Sequence, residues 1–317
     1  MELNYLRLSL TDRCNLNCIY CRPKTWVRIM EREKILRFEE MVQFIKVAAE
    51  VGVRKVRLTG GEPLLRRNII TLIDMITRVQ NIDDITLTTN GICLSEYAKG
   101  LKEAGISRIN VSLDTLNRNK FIHITGSDGL LKVLKGIEAA KETGIEPVKI
   151  NVVALQGIND TEINDFVHFA LKNSLVLRFI EYMPIEGVGD KSWQISNKVV
   201  RSIIEKKWGA LEPTNFLGNG PAEYFSLHST SLVVGFISPI SNSFCHRCSR
   251  LRLSADGKLR PCLASGYELD VKNALRDEHS QLKIQELIDV ALRYKIQKNV
   301  SCPAFTSPHK FMFQIGG

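Results

Sequence analysis

The 317-residue sequence lacks the features that mark membrane proteins and nucleic-acid-binding proteins. No apolar run approaches the roughly 20 residues that a membrane-spanning helix needs. No run of lysines or arginines forms a basic tail, and only 7% of the residues are aromatic, whereas single-strand binders depend on aromatic stacking platforms. The N-terminal segment has no apolar secretory region, and the chain has no low-complexity segment and no repeat beyond an alternation of strands and helices. We therefore expect a cytoplasmic protein that binds neither membranes nor nucleic acid.

The charge and the cysteine content indicate what the chain does carry. A net charge of +9 favours an anionic partner, although charge alone does not choose between a polyanion and a phosphorylated small molecule. Eight cysteines in a cytoplasmic chain indicate metal or redox chemistry rather than a disulfide framework. Six of them form two groups of three, Cys14, Cys18 and Cys21 near the start and Cys245, Cys248 and Cys262 near the end. Cys93 and Cys302 stand alone, and we expect both to be small buried hydrophobic residues.

The first cysteine group has the spacing Cys-x3-Cys-x2-Cys, with Tyr20 before its last member. Three thiolates can bind three irons of a 4Fe–4S cluster and leave the fourth iron open to a ligand. The alternative is a structural zinc loop that a distant fourth ligand completes, but zinc ligands usually come as separated pairs. This spacing therefore favours a cluster with one open iron.

The second cysteine group has the spacing Cys-x2-Cys-x13-Cys and leaves two kinds of site open. One is another iron–sulfur cluster with three protein ligands. The other is a zinc site whose fourth ligand is His246, His228 or Cys302. Spacing alone ranks these two sites close together.

Apolar, β-branched runs alternate with helical patterns along the first two thirds of the chain. The predicted strands are Tyr5–Leu10, Lys55–Leu58, Ile85–Thr88, Arg108–Leu113, Val148–Ala154 and Val176–Glu181. The predicted helices are Phe38–Val51, Arg67–Val79, Glu96–Ala104, Leu130–Thr143 and Thr161–Lys172. Because such alternation builds parallel β/α units, we expect an α/β fold with a partial (β/α)6 TIM-type barrel.

The pattern changes after Pro184 to shorter elements. We expect a basic helix near Ser196–Lys207, strands at Ala222–Leu227 and Leu232–Ile237, a hairpin of Leu251–Ser254 with Lys258–Cys262, and an amphipathic helix at Leu282–Gln297. The expected division is a barrel over residues 1–220 and a smaller C-terminal α+β region over residues 221–317.

Polar loops and buried cations accompany the predicted strands. The first cysteine group follows the first strand, and the turn Thr59-Gly60-Gly61-Glu62-Pro63 follows the second, at the face where β/α barrels build their active sites. Arg7 and Lys149 lie within predicted strands and between apolar residues. Because a buried cation needs an anionic partner, both residues indicate an anionic ligand.

Nine stretches of the sequence resemble the GTP 3′,8-cyclase family of molybdenum cofactor biosynthesis, a branch of the radical S-adenosylmethionine (SAM) enzymes. They are residues 6–9, 56–63, 88–91, 111–114, 148–151, 178–184, 235–239, 245–253 and 315–317. They span nearly the whole chain in the order that the family shows. The resemblance implies two 4Fe–4S clusters, one held by each cysteine group. The first would bind SAM, and the second would bind the guanine base of GTP.

The resemblance also implies roles for individual residues. SAM contacts fall on Tyr20, Gly61, Ser112 and Met183. GTP contacts fall on Arg7, Arg57, Thr88, Lys149, Arg250 and Arg252, and Arg178, near the end of the sixth predicted strand, is placed with them. A C-terminal diglycine, Gly316 and Gly317, would reach into the site and assist radical initiation.

The reaction implied by the family starts from a 5′-deoxyadenosyl radical, which takes hydrogen from C3′ of GTP before a C3′–C8 bond forms. The implied partners are GTP, a downstream cyclic pyranopterin monophosphate synthase, and an electron donor such as a flavodoxin or ferredoxin, and a homodimer is one oligomeric state that this allows. Two other functions stay open: a radical peptide-modifying enzyme with an auxiliary cluster, and a zinc-stabilised RNA-binding protein.

Overall fold

Six parallel strands, each joined to the next through helical segments, form the body of the molecule. A computed structural model describes residues 3–23, 27–184, 188–216, 220–245, 248–298 and 311–316. The six strands are β1 (Tyr5–Ser9), β2 (Lys55–Thr59), β3 (Asp84–Thr89), β4 (Arg108–Ser112), β5 (Val148–Ala154) and β6 (Val176–Glu181). Between them lie α1 (Phe38–Glu50), α2 (Ile69–Thr77), α3 (Leu94–Glu103), α4 (Arg118–Thr125), α5 (Leu130–Glu142) and α6 (Ile163–Lys172).

The C-terminal elements add strands to both edges of this parallel sheet. They are α7 (Asn197–Trp208), β7 (Leu211–Pro213), β8 (Glu223–Leu227), β9 (Val233–Ile237), β10 (Arg250–Leu253), β11 (Lys258–Arg260), β12 (Leu269–Asp270), α8 (Lys272–Leu275), α9 (Ser280–Lys298) and α10 (Met312–Ile315). Strand β10 pairs in parallel with β1, and β9 pairs in parallel with β6. Across the described residues the strands form one twelve-stranded sheet in the order β12-β11-β10-β1-β2-β3-β4-β5-β6-β9-β8-β7.

The core lies between this sheet and the helices that cover it. Leu6 and Leu8 of β1 are fully buried, as are Met41, Phe44 and Ile45 of α1. In these strands apolar residues of the core alternate with polar residues that face the cavity, as Leu6 and Leu8 alternate with Arg7 in β1. The predicted α/β partial barrel is confirmed, and the predicted hairpin of β10 and β11 is also present, with Leu253 opposite Leu259.

Several elements were not expected, among them β7, β12, α8 and α10, and two departures lie within the barrel. Helix α4 was not predicted, and the Asn117 side chain caps it by accepting hydrogen bonds from the N–H groups of Asn119 and Lys120. A short 3₁₀ turn, Asp160–Glu162, precedes α6 where a continuous helix was expected. Within the described part of the chain, no helix combines the length and apolar character that crossing a bilayer requires.

Candidate active site

One large cavity opens at the carboxyl ends of the parallel strands. It encloses about 2070 Å³ of space free of protein atoms, part of it open to solvent. Its wall contains all six grouped cysteines, Cys14, Cys18, Cys21, Cys245, Cys248 and Cys262, the predicted SAM contacts Tyr20, Gly61, Ser112 and Met183, and the predicted GTP contacts Arg7, Arg57, Thr88, Arg178, Arg250 and Arg252. Residues separated by more than two hundred positions thus share one cavity.

The first cysteine group lies on the loop after β1, and its cysteines are partly buried. The N–H of Leu16 donates to Cys14 Sγ at 3.4 Å, and Asn90 Nδ2 donates to the same sulfur at 3.7 Å. Burial raises the pKa of Cys14 and Cys18 and raises the pKa of Cys21 to about 12. Because a cluster needs thiolates, cluster binding must displace these protons, as metal binding generally does.

The Gly-Gly-Glu turn after β2 is hydrogen-bonded directly to the loop that carries these cysteines. Gly61 N–H donates to the Thr11 carbonyl and Glu62 N–H to the Arg13 carbonyl, both at 2.7 Å. A Cβ on Gly61 would lie 2.3 Å from the Arg13 carbonyl oxygen, so only glycine fits this approach. Burial raises the pKa of Glu62 to about 7, and its carboxylate accepts bonds from Thr89 and Asn90 at 2.7 Å. The turn thereby connects the cysteine loop to the end of β3.

Tyr20 is fixed in place by Asp114, which follows β4. The Tyr20 hydroxyl donates to Asp114 Oδ2 at 2.6 Å, and the N–H of Val153 donates to Asp114 Oδ1 at 2.8 Å. Burial raises the pKa of Asp114 to about 6. Asp114 therefore connects the cysteine loop to the end of β5.

Besides Arg22 of the first cysteine loop, five arginines line the cavity: Arg7, Arg57, Arg178, Arg250 and Arg252. Arg178 and Arg252 are only 6% and 7% exposed. Burial lowers the pKa of Arg7, Arg178 and Arg252, and that of Arg252 falls to about 10. Positive charges that are close together and shielded from solvent repel one another. An anionic ligand would offset this repulsion, so the five arginines favour one.

Lys149 is buried but does not appear on the cavity wall. Its side chain is 4% exposed, its ammonium donates to the Tyr224 hydroxyl at 3.2 Å, and it lies 4.6 Å from the Phe216 ring centre. Burial lowers its pKa to about 7, and the charges of Arg178, Arg108 and Arg57 act in the same direction. Lys149 therefore does not line the cavity, but it is close enough to Arg57 and Arg178 for their charges to lower its pKa.

The second cysteine group lies beside two cations. Burial alone would raise the pKa of Cys248, but Arg250 and Lys295 lower it to about 6. Of the alternative zinc ligands, His228 is exposed, lies 3.3 Å from Glu212 and is absent from the cavity wall. His246 and Cys302 lie outside the described residues. Where the structure describes the chain, no three Cys, His, Asp or Glu side chains form a group that could hold a single metal ion.

The C-terminal segment reaches the cavity through α10. The Gly316 carbonyl accepts from Arg252 Nη1 at 2.9 Å and from Arg7 Nη2 at 3.2 Å. The Arg22 guanidinium stacks 4.3 Å from the ring centre of Phe313, which lines the cavity. Gly316 is thus in contact with two predicted GTP residues, while Gly317 lies outside the described residues.

Sequence reasoning missed several polar residues of this site. Asn151 lies opposite the predicted contact Arg178 in the sheet and lines the cavity with it, and among the described residues no hydrogen-bond partner is present for Asn151 Oδ1 or Arg178 Nε, although both atoms are buried. The Tyr5 hydroxyl accepts from Arg57 Nε, and Lys295 contacts Cys248. Asn151 follows Lys149 by two positions in β5, and this same-face spacing was an available signal.

The side chains that line the cavity match the ligands that two 4Fe–4S clusters require. Soft thiolates are the ligands that iron–sulfur clusters require, and each cysteine group presents three of them to the cavity. N–H donors at Cys14 and Cys248 supply the hydrogen bonds that cluster-ligating sulfurs accept. Asn151 Oδ1 and Arg178 Nε have no hydrogen-bond partner among the described residues, and a polar ligand in the cavity would provide one.

Comparisons with known protein families agree with this geometry. The model of the radical SAM superfamily matches residues 8–170, and the model of Molybdenum Cofactor Synthesis C matches residues 175–301. The fold and the cysteine loop, together with the first match, define a radical SAM enzyme.

Sequence similarity to curated relatives identifies the family within the radical SAM enzymes. A GTP 3′,8-cyclase of Thermodesulfovibrio yellowstonii is 44% identical over 321 residues, with 100% of this chain and 98% of the relative covered. A GTP 3′,8-cyclase of Syntrophomonas wolfei is 45% identical over 322 residues with the same coverage. The chain belongs to the GTP 3′,8-cyclase family.

Solved structures of more distant proteins share the fold. Streptococcus suis SuiB bound to S-adenosylmethionine matches with a TM-score of 0.66 at 15% identity, covering 96% of this chain and 67% of SuiB. The protein anSMEcpe, with bound AdoMet and a Kp18Cys peptide, matches with a TM-score of 0.61 at 17% identity, covering 98% and 87%. At these identities the likeness shows the fold alone.

Proposed function

We propose that this chain is a radical SAM GTP 3′,8-cyclase, which converts GTP to (8S)-3′,8-cyclo-7,8-dihydro-GTP in molybdenum cofactor biosynthesis. In this reaction the hydrogen atom at C3′ of GTP would pass to the 5′-deoxyadenosyl radical. A C3′–C8 bond would then form as the C8–N7 double bond becomes single, and one electron from a reductant with one proton would complete N7. One observation carries the proposal: both cysteine groups line a single cavity together with the five predicted GTP arginines, Arg7, Arg57, Arg178, Arg250 and Arg252. A peptide-modifying enzyme needs two clusters but has no use for so many buried cations.

In this proposal the first cysteine group would hold the cluster that binds SAM. The cluster and SAM together would supply a 5′-deoxyadenosyl radical. The chain's own residues orient the cofactor and exclude water. Tyr20, fixed by Asp114, closes one side of the cofactor site, and Gly61 lets backbone approach the ligand. Ser112 and Met183 complete the contacts from the ends of β4 and β6.

The second cysteine group and the arginines would hold the substrate. Cys245, Cys248 and Cys262 would bind a cluster whose open iron takes the guanine base. Arginine pairs well with phosphate because its planar fork donates two parallel hydrogen bonds and stays charged. Five such side chains therefore suit a triphosphate. The residues assigned to contact it are Arg7, Arg57, Thr88, Arg178, Arg250 and Arg252. Lys149, which is not on the cavity wall, is assigned to the site through the charges of Arg57 and Arg178 that act on it.

The Gly316 carbonyl bonds to Arg7 and Arg252, which both belong to the proposed triphosphate site. Gly316 and Gly317 have no side chains, so a diglycine can thread between substrate and cofactor without blocking either. We assign these two glycines to positioning the substrate for radical initiation.

The wider context of this function is also a proposal. Residues 1–220 would carry the SAM chemistry, and residues 221–317 the second cluster and part of the GTP site. The described cysteines are all free thiols, which suits the reducing cytoplasm. A flavodoxin or ferredoxin would supply electrons, cyclic pyranopterin monophosphate synthase would consume the product, and a homodimer is compatible with this assignment.

We expect GTP binding to take up a proton at Lys149. Its pKa of about 7 means that the amine is largely neutral above pH 7 in the GTP-free protein. Phosphates beside Arg57 and Arg178 would offset their repulsion and raise this pKa. The Kd for GTP should therefore rise above about pH 7, by at most about tenfold per pH unit. Phosphate ionisation contributes little there, because a phosphate monoester's second pKa is about 6.

Anaerobic calorimetry of the wild-type chain and Lys149→Met tests this expectation. The methionine variant keeps the length of the side chain but has no titrating amine, so its Kd should be higher and nearly independent of pH in the same range. The charged groups that face Lys149 are Arg178, Arg108, Arg57 and Asp84, and none of them is altered. An equally steep pH profile in the methionine variant would show that another group takes up the proton.

The proposed function is tested by nucleotide-dependent SAM cleavage. The reconstituted chain, with SAM and dithionite under anaerobic conditions, should release 5′-deoxyadenosine rapidly with GTP and far more slowly with ATP or without nucleotide. A cyclised dihydro-GTP should accumulate with it. Equal cleavage under all three conditions would remove GTP as the substrate while leaving the radical chemistry in place.

A further inference from the structure

Lys295 brings a buried cation to the second cysteine group from helix α9. Its side chain is 5% exposed, and its ammonium donates to Cys248 Sγ at 3.3 Å, to the Pro261 carbonyl at 3.0 Å and to the Arg250 carbonyl. Pro261 directly precedes Cys262, and Arg250 lies two residues after Cys248. One side chain therefore joins the two segments that carry Cys248 and Cys262.

The surroundings of Lys295 require a negative charge. A buried ammonium is costly unless an anion accompanies it, and two of its three acceptors are neutral carbonyls. The third acceptor, the Cys248 sulfur, supplies that charge as a thiolate. A lysine held in this way contributes to the chemistry of the sulfur as well as to packing.

We propose that Lys295 is a positioning residue for the second cluster, which holds the Cys248 and Cys262 segments together and raises the cluster's reduction potential. The proposal rests on the assignment of Cys245, Cys248 and Cys262 as cluster ligands. Hydrogen bonds to the sulfurs and nearby charge are two of the factors that set cluster potentials. Both act in the same direction here, because a positive N–H donor stabilises the more negative, reduced state.

A purely structural role for Lys295 makes a different prediction. If the ammonium only bridged Pro261 and Arg250, its loss would lower stability and leave the potential of a correctly assembled cluster unchanged. The reduction potential therefore separates the two roles.

The test is a reductive titration of the second cluster, followed by electron paramagnetic resonance with dithionite as the one-electron reductant. A full-length background with Cys14, Cys18 and Cys21 changed to serine restricts the signal to this cluster. Lys295→Met should lower the reduction equilibrium constant by about tenfold, equivalent to 59 mV for one electron. Lys295→Arg, which keeps a charged donor, should restore most of the shift.

A matched control is available on the same helix. Lys283 is half exposed, pairs with Asp277 and does not appear on the cavity wall. Lys283→Met makes the same change of charge and should leave the potential unchanged. If Lys295→Met fails to fold, Lys295→Gln, which keeps an uncharged N–H donor, should give a smaller shift in the same direction.

The possible outcomes divide clearly. Loss of the second cluster's iron in Lys295→Met with recovery in Lys295→Arg would support the part of the proposal in which a cation here holds the Cys248 and Cys262 segments together. An unchanged potential with full iron would overturn it, and so would loss of iron in both variants. Absence of iron from the background protein that still has Lys295 would instead refute the assignment of Cys245, Cys248 and Cys262, and the Lys295 proposal would fall with it.

Discussion

Replacement of Cys14 by serine is expected to remove about four of about eight irons per chain and to lower SAM cleavage below detection. Cys14 Sγ lies on the cavity wall and accepts bonds from Leu16 and Asn90. A hydroxyl is a much harder ligand than a thiolate, so serine does not replace cysteine on a cluster iron. The measurement is iron and sulfide content after anaerobic reconstitution, together with the yield of 5′-deoxyadenosine.

The chain offers matched controls for this change. Cys93 is also half-buried and packs against the core, but it does not line the cavity. Cys93→Ser should therefore keep all the iron and full cleavage. Cys245→Ser should remove the other four or so irons and leave those of the first cluster. A Cys14→Ser variant that retained its iron would contradict the assignment of the first cluster.

Replacement of Gly316 by alanine is expected to reduce cyclisation by about 100-fold, because misplacing a positioning group by about 1 Å has effects of that size. Gly316 has a φ of +75°, and an added Cβ would lie 2.4 Å from Thr59 Oγ1. The left-handed conformation alone costs about 1–2 kcal/mol for alanine. Relief of the clash would move the carbonyl away from Arg7 and Arg252.

The variant Gly157→Ala is a control that separates the effect of backbone strain from the effect of displacing the Gly316 carbonyl. Gly157 has the same φ of +75°, but nothing lies within 4 Å of an added Cβ, and the residue does not line the cavity. It should lower stability slightly and leave turnover unchanged. Product formation and GTP affinity are measured for both variants, and in Gly316→Ala the rate should fall much more than the affinity. A nearly normal rate in Gly316→Ala would mean that the tail does not position the substrate.

The strand and helix pattern of the barrel was predictable because it depends on local periodicity. In strands such as β1 and β5 apolar residues alternate with polar ones, and this period of two is visible in the sequence whichever strand lies beside them. The pairing of β9 with β6 and of β10 with β1 was not predictable in this way, since long-range register leaves no local signal. These two pairings bring the second cysteine group beside the first.

Some site residues could likewise be predicted from short motifs, whereas others depend on long-range contacts. Cys14 and Gly61 belong to short motifs whose spacing carries the chemistry, so the sequence was enough to identify them. Lys295 lies in an amphipathic helix, where a lysine usually faces solvent, and only the fold places it against Cys248. Lys149 was correctly predicted to be buried, but its contact with Tyr224 depends on a strand that follows it by about seventy residues.

The most direct test of the proposed reaction uses GTP that carries deuterium at C3′. The reconstituted enzyme, with SAM and dithionite, should transfer that deuterium to 5′-deoxyadenosine, and mass spectrometry should find one deuterium in each molecule formed during turnover. GTP deuterated at C2′ should give unlabelled 5′-deoxyadenosine. An unlabelled product from the C3′-deuterated substrate would contradict hydrogen abstraction from C3′ and with it the assignment of this cavity to GTP cyclisation.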